Sequence, residues 1–104
     1  MEKNDYIIQY LPSFNDELNE IIYYITYILK NKKAAERLIN NLHTAIIERS
    51  KSPKSYEVYK GNKVRKHDWF RIYVRNYTIF YTVENNVIKI AHIIYSKRNF
   101  DKIL

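Results

Sequence analysis

From Phe70 to Tyr95 apolar and polar residues alternate with a period of two, interrupted at Arg75-Asn76 and again at Asn85-Asn86. A period of two describes strands with two unlike faces. Two-residue interruptions carrying asparagine, which tolerates positive φ, join such strands into a meander. The predicted strands are about Phe70–Val74, Tyr77–Val83 and Val87–Tyr95, with Asn76 and Asn85-Asn86 in the positive-φ positions. Nothing else in the chain restricts its fold as much.

Tight turns also predict a register. Val74 then pairs with Tyr77, Ile72 with Ile79 and Phe70 with Tyr81. In the second hairpin Val83 pairs with Ile88, Tyr81 with Ile90 and Ile79 with His92. One face therefore carries Phe70, Ile72, Val74, Tyr77, Ile79, Tyr81, Val83, Ile88, Ile90, His92 and Ile94, and reads as core. The reverse face carries Arg71, Tyr73, Thr78, Phe80, Thr82, Lys89, Ala91, Ile93 and Tyr95. Phenylalanine and isoleucine in its middle argue against full solvation, so a partner is expected to cover it.

Upstream, Tyr6–Leu11 reads as a short strand ended by Pro12. Ser13 suits a helix N-cap, with Asp16 in a capping-box-like position and Glu17 adding charge to the first turn. Phe14, Leu18, Ile21, Ile22, Ile25, Ile28 and Leu29 recur every three or four residues and predict one inward stripe. After Asn31-Lys32-Lys33 a second helix is expected from about Ala34 to Arg49, with Ala35, Leu38, Leu42, Ala45 and Ile46 inward. Tyr56–Asp68, basic and holding the one glycine, reads as a loop or an irregular short strand. The order β-α-α-β-β-β predicts an α+β fold: an antiparallel sheet with a helical hairpin packed on one face. Residues 1–104 are expected to form one domain.

The net charge of +7 is segregated. Residues 1–50 hold six Lys/Arg against seven Asp/Glu, whereas residues 51–104 hold twelve against four. Such segregation points to a surface that meets a polyanion or an acidic protein, the alternative being a charge kept for solubility. With no cysteine, neither disulfides nor thiolate metal sites are available. His43, His67 and His92 lack metal-ligand spacing, and no metal or other cofactor is expected. His92 reads as a hydrogen-bonded core histidine rather than a catalytic one. No leader-like segment or membrane-length apolar run is apparent, so a cytoplasmic location is expected. The cations most suited to nucleic acid or another target are Arg65, Lys66, Arg71, Arg75, Lys89, Lys97 and Arg98, interleaved with tyrosines on which bases or side chains can stack.

The run RIYVRNYTIFYTV, the turn ENN, the strand VIKIAHIIY and the closing KRNFDKIL resemble toxins of the RelE/ParE superfamily. The resemblance spans most of the chain and is sharpest over NYTIFYTVENNVIKIAHIIYSKR. It implies the toxin of a bacterial type II toxin–antitoxin pair, of the kind that stabilises plasmids and inhibits growth, blocked by a cognate antitoxin that wraps it. RelE-like members cut mRNA in the ribosomal A site; ParE-like members poison DNA gyrase and are not nucleases.

For RelE-like cleavage the resemblance puts Arg71 at the first basic position on the sheet and Arg98 at the arginine after the last strand. Tyr73 and Thr78 stand where further basic residues are usual, and no tyrosine stands at the terminal position. A substitute set would use Tyr73 or Tyr95 for proton transfer, Arg71, Lys89 and Arg98 around the phosphate, and Glu57 or His67 from the loop. The ending KRNFD is similar to ParE-like tails and favours gyrase. A ribosome-dependent endoribonuclease, or a nucleic-acid-binding module without toxicity, are the alternatives.

Overall fold

The computed structural model of the chain describes residues 5–61 and 65–104. Asn62, Lys63 and Val64 of the basic stretch fall outside the described residues. Strand β1 (Ile7–Tyr10) is followed by α1 (Pro12–Tyr23), a π-helical turn (Tyr24–Ile28) and α2 (Lys32–Arg49). The meander comes next as β2 (Phe70–Val74), β3 (Tyr77–Glu84) and β4 (Val87–Tyr95), and a 3₁₀ turn (Phe100–Lys102) ends the chain. The sheet order is β1-β4-β3-β2. The meander is antiparallel and β1 adds parallel to β4, so this α+β fold is built on a mixed sheet. The helical hairpin lies on one face of it, and Phe14, Leu38, Leu42 and Ile46 pack with Ile72, Ile79, Tyr81 and Ile90 in one core.

Every expected β2–β3 pair is present, as are Val83–Ile88 and Tyr81–Ile90. Arg75 (φ 56°), not Asn76, takes the left-handed position in the first turn, and Asn85 (φ 57°) takes it in the second. Beyond Tyr81 the register changes. Phe80 pairs with His92 and Ile79 with Ile93, leaving Ala91 as the extra residue of a β-bulge. Because side chains alternate, one extra residue exchanges the faces of everything after it. Ile93 thus joins the core beside Ile79, while His92 and Ile94 leave the face expected for them. Tyr95, opposite Tyr77, turns toward the helices instead of standing beside Arg71.

Helix α1 closes the part of β4 that β1 is too short to reach. Leu11 is its N-cap and Pro12 its first residue, so Ser13 does not cap it. Proline suits that position because its missing N–H is one a helix start cannot satisfy anyway. The Ser13 hydroxyl instead donates to the Ala91 carbonyl at 2.6 Å, and Glu17 Oε1 accepts from the Ile93 amide at 3.0 Å. Backbone groups exposed by the bulge are paired by the helix start rather than by a strand.

The hairpin departs from the expected stripe at its turn. A bond from the Leu29 amide to the Tyr24 carbonyl spans five residues, and this wider pitch rotates the side chains at the end of the helix. Ile25 stays buried, but Ile28 and Leu29 turn out to solvent. Lys30 (φ 52°) then reverses the chain, and the Asn31 side chain caps α2 by accepting from the Ala34 amide at 3.1 Å.

Candidate target-binding surfaces

The reverse face of the sheet needs no partner to cover its centre, because the chain covers it. Phe80 is fully buried. Edge-on rings surround it: Phe100 from the terminal turn at 4.9 Å, Tyr59 at 5.6 Å and Trp69 at 6.4 Å. The segment before β2 reaches this position by pairing Val58 with Phe70 and by donating the Tyr59 amide to the Trp69 carbonyl. Burying a phenylalanine ring contributes about 1.5–3 kcal/mol, which helps offset ordering the loop and tail.

An ion pair between Arg65 and Asp101 clasps loop to tail, and the Tyr59 hydroxyl donates to the same carboxylate at 3.1 Å. Gly61 makes the clasp fit. A Cβ there would collide with the Asp101 carboxylate and stand 2.7–2.8 Å from the Arg65 guanidinium. Burial, reinforced by the bond to Asp101, pushes the Tyr59 phenol above its ordinary range, against the opposing pull of Arg65 and Arg71. Tyr59 is therefore a protonated donor near neutral pH.

Arg71 is partly buried on the reverse face. Its guanidinium lies 5.0 Å from the Tyr59 ring centre and 5.6 Å from that of Tyr73, with Glu57 Oε1 at 3.8 Å. Its carbonyl accepts from Arg49, which also donates to the Tyr81 hydroxyl at 3.0 Å. Since Tyr81 in turn donates to the Pro53 carbonyl at 2.6 Å, α2 braces the strand that carries Arg71. Tyr73 projects into solvent beside it.

Lys66 and Lys89 line a second hollow, about 610 Å³ in volume, with Lys54, His67 and Trp69. Glu84 binds Lys89 at 2.6 Å, and that bond and charge hold the Glu84 carboxyl below its usual range. His92 meets Glu17 at 2.9 Å and lies against Trp69, a hydrogen-bonded ring but on the reverse side.

Tyr95 and Arg98 belong to a third surface, on the helix side. They line a groove of about 510 Å³ with Glu17, Glu20, Tyr24 and Tyr77. Arg75 lines an adjoining hollow with Arg37 and Leu29, while Lys97 is exposed after β4. The residues named for phosphoryl chemistry are therefore parted: Arg71, Tyr73 and Glu57 on the reverse side, Lys89 and His67 in the second hollow, Tyr95 and Arg98 on the helix side. Lys54, Tyr59 and Asp101 were not named from the sequence. Aromatic residues outside the strands in the basic segment, as at Tyr59 and Trp69, are the signal that would have found the covering layer.

Among the described residues no three His, Asp or Glu gather as metal ligands, and no helix is long and apolar enough to cross a membrane. No protein of curated function matches the sequence. Among solved structures, one described as the chromosomal ParDE TA system from P. aeruginosa matches with a TM-score of 0.65 at 10% identity. The match covers 91% of this chain and 100% of that one. At that identity the likeness speaks for the fold. A family model described as ParE toxin of the type II toxin–antitoxin system parDE matches residues 8–100, the whole of the hairpin and the meander, and the chain belongs to that family.

Proposed function

We propose that this chain arrests bacterial growth by acting on DNA gyrase and is held inactive by a cognate antitoxin. The observation that carries the choice of gyrase over mRNA is the parting of Arg71 and Tyr73 from Tyr95 and Arg98 by the bulge at Ala91. Cleavage through a 2′-hydroxyl needs cations and a proton-transfer group converging within hydrogen-bond reach of one phosphate. Here two such groups face away from two others. A binding role requires no such convergence. In this reading Arg71, Lys66 and Lys89 meet the target, and Arg65 serves to hold the loop against the tail.

Inducing the chain in a bacterial host separates the readings. Accumulated gyrase–DNA breaks without new mRNA 5′ ends are expected. New 5′ ends within translated codons would replace this reading with ribosome-dependent cleavage. Unimpaired growth together with salt-dependent nucleic-acid binding would leave only a binding module.

A further inference from the structure

The hollow of about 610 Å³ opens toward the β3–β4 turn, where Thr82, Glu84 and Lys89 line it. Its size falls within the range of small-molecule sites, about 300–1,000 Å³. Neither Arg71 nor Tyr59 lines it, so it is separate from the clasp between loop and tail. Trp69 forms part of its wall, a half-buried ring set edge-on against Phe80 and tilted against His92. An indole braced in this way is a stacking platform held in place before a ligand arrives. Lys54 and Lys66 line the same hollow, and among the described residues neither makes an ion pair. Lys89, by contrast, is held by Glu84. Two ammonium groups, with His67 beside them, thus stand against the one remaining carboxylate, that of Asp68. This surplus suits one phosphate group and does not balance a triphosphate. The groove beside Arg98 has the opposite sign, because Glu17 and Glu20 outnumber its one guanidinium.

We propose that this hollow binds a single nucleotide unit, its base against Trp69 and its phosphate between Lys54 and Lys66. The Thr82 hydroxyl and the Asp68 carboxylate are the groups on the wall able to accept from the edge of the base. Ring and charge together select this ligand. A simple anion would satisfy the lysines and leave the indole bare, and an uncharged ring would do the reverse. The unit can be a free nucleotide or one residue of a single strand; a base stacked within a duplex has no open face to offer. The inference rests on the reading that Lys66 and Lys89 meet the target, and it names the chemistry met there as a nucleotide.

Trp69 is the one tryptophan of the chain, so its emission reports on this hollow alone. The test is quenching of that emission, excited beyond nucleotide absorption, as the purified chain is titrated with deoxyadenosine monophosphate or a short single-stranded oligodeoxyadenylate. Saturable quenching is expected, with deoxyadenosine at least about tenfold weaker than its monophosphate at low salt. Inorganic phosphate, which has no ring, should compete at least about tenfold more weakly than the monophosphate. Tighter binding of the strand identifies nucleic acid as the source, and equal or tighter binding of the monophosphate a free nucleotide. Lys66→Glu should weaken the monophosphate about tenfold at low salt and much less at high salt. Lys33→Glu, the same change of charge at an exposed position on α2, should bind within about twofold of wild type. Circular dichroism confirms that each variant folds. Absence of quenching by both ligands would overturn the proposal, as would an equal loss in Lys66→Glu and Lys33→Glu. The expected quenching without gyrase–DNA breaks on induction would uphold the hollow and remove the gyrase reading; breaks without quenching would do the reverse.

Discussion

The Glu17 carboxylate of the first helix accepts a hydrogen bond from the Ile93 amide of the last strand at 3.0 Å, immediately after the bulge. Its other oxygen meets His92 Nδ1 at 2.9 Å. One side chain thus satisfies two polar groups that no neighbouring strand reaches. Glu17→Ala should lower unfolding free energy by about 1–3 kcal/mol, because a partly buried amide and an imidazole lose their partner together. Glu17→Gln, which keeps an acceptor, should cost less. Urea denaturation with an unchanged m-value checks both; an unaltered midpoint for Glu17→Ala would mean that water replaces the carboxylate at no cost.

The same register separates core from surface among isoleucines. Ile79→Ala and Ile90→Ala should each destabilise by about 2–5 kcal/mol, since both side chains are fully buried and leave cavities. Ile28→Ala, on the π-helical turn, should change stability by no more than about 0.5 kcal/mol. Thermal melts of the three variants provide the comparison, and a cost for Ile28→Ala matching that of Ile79→Ala would contradict the outward rotation of the turn.

Gly61→Ala should loosen the tail. The added methyl must displace both the Asp101 carboxylate and the Arg65 guanidinium. A cost of about 1–3 kcal/mol is expected, as for other overpacked sites. Near-UV circular dichroism should fall at the same time, because the Phe100 and Tyr59 rings leave Phe80. An intact aromatic signal with wild-type stability would show that the clasp yields freely.

Arg71 supports the target-facing reading without supporting the fold through its guanidinium. Its carbonyl, the group that Arg49 grips, survives substitution. Arg71→Ala should therefore relieve growth inhibition on induction while shifting the midpoint of unfolding by only a few degrees, about what ≤1 kcal/mol produces in a domain of this size. Tyr73→Phe keeps the ring and removes the hydroxyl. Toxicity should persist in that variant if the residue stacks, and vanish if its phenol moves a proton.

Alkali should destabilise the protein through tyrosines whose phenols are partly or wholly desolvated. Burial is the leading cause that raises the phenols of Tyr10, Tyr59, Tyr77 and Tyr81 above their ordinary value of 10.0. Unfolded, these groups lose protons near pH 10; folded, they retain them to higher pH. Their contribution is whole below pH 10 and declines as pH rises through the folded values. Stability measured between pH 8 and about 11.5 should be flat at first and fall above 10. Stability that stays flat above pH 10 would contradict the raised phenols.

How much of this was legible in the sequence depended on how many residues separate a signal from its consequence. The pairs Val74–Tyr77 and Val83–Ile88 adjoin two-residue turns, whose length leaves one register. The bulge was hidden because Ala91-His92-Ile93-Ile94 offers an apolar residue on either parity and no glycine to mark the insertion. The π-helical turn was hidden for a similar reason. Tyr23, Tyr24, Ile25, Tyr27 and Ile28 present apolar groups at any helical pitch, so periodicity could not report the widening. Ser13 had the right chemistry for a cap and was drawn away by a carbonyl 78 residues distant. Of the candidate groups, the cations were readable from charge segregation. Their division among three surfaces was not, since one unpaired residue in β4 reverses Tyr95, and Arg75 and Arg98 lie outside the strands.

Phe80 has one further implication. With helices above and a plug of rings below, the middle of the sheet presents no plate on which a duplex or a broad protein surface can lie. Whatever this molecule seizes it must hold by its rims, at spots several side chains apart. A grip of that sort draws its strength from simultaneous engagement, and a blocker that denies one spot takes away far more than that spot's share.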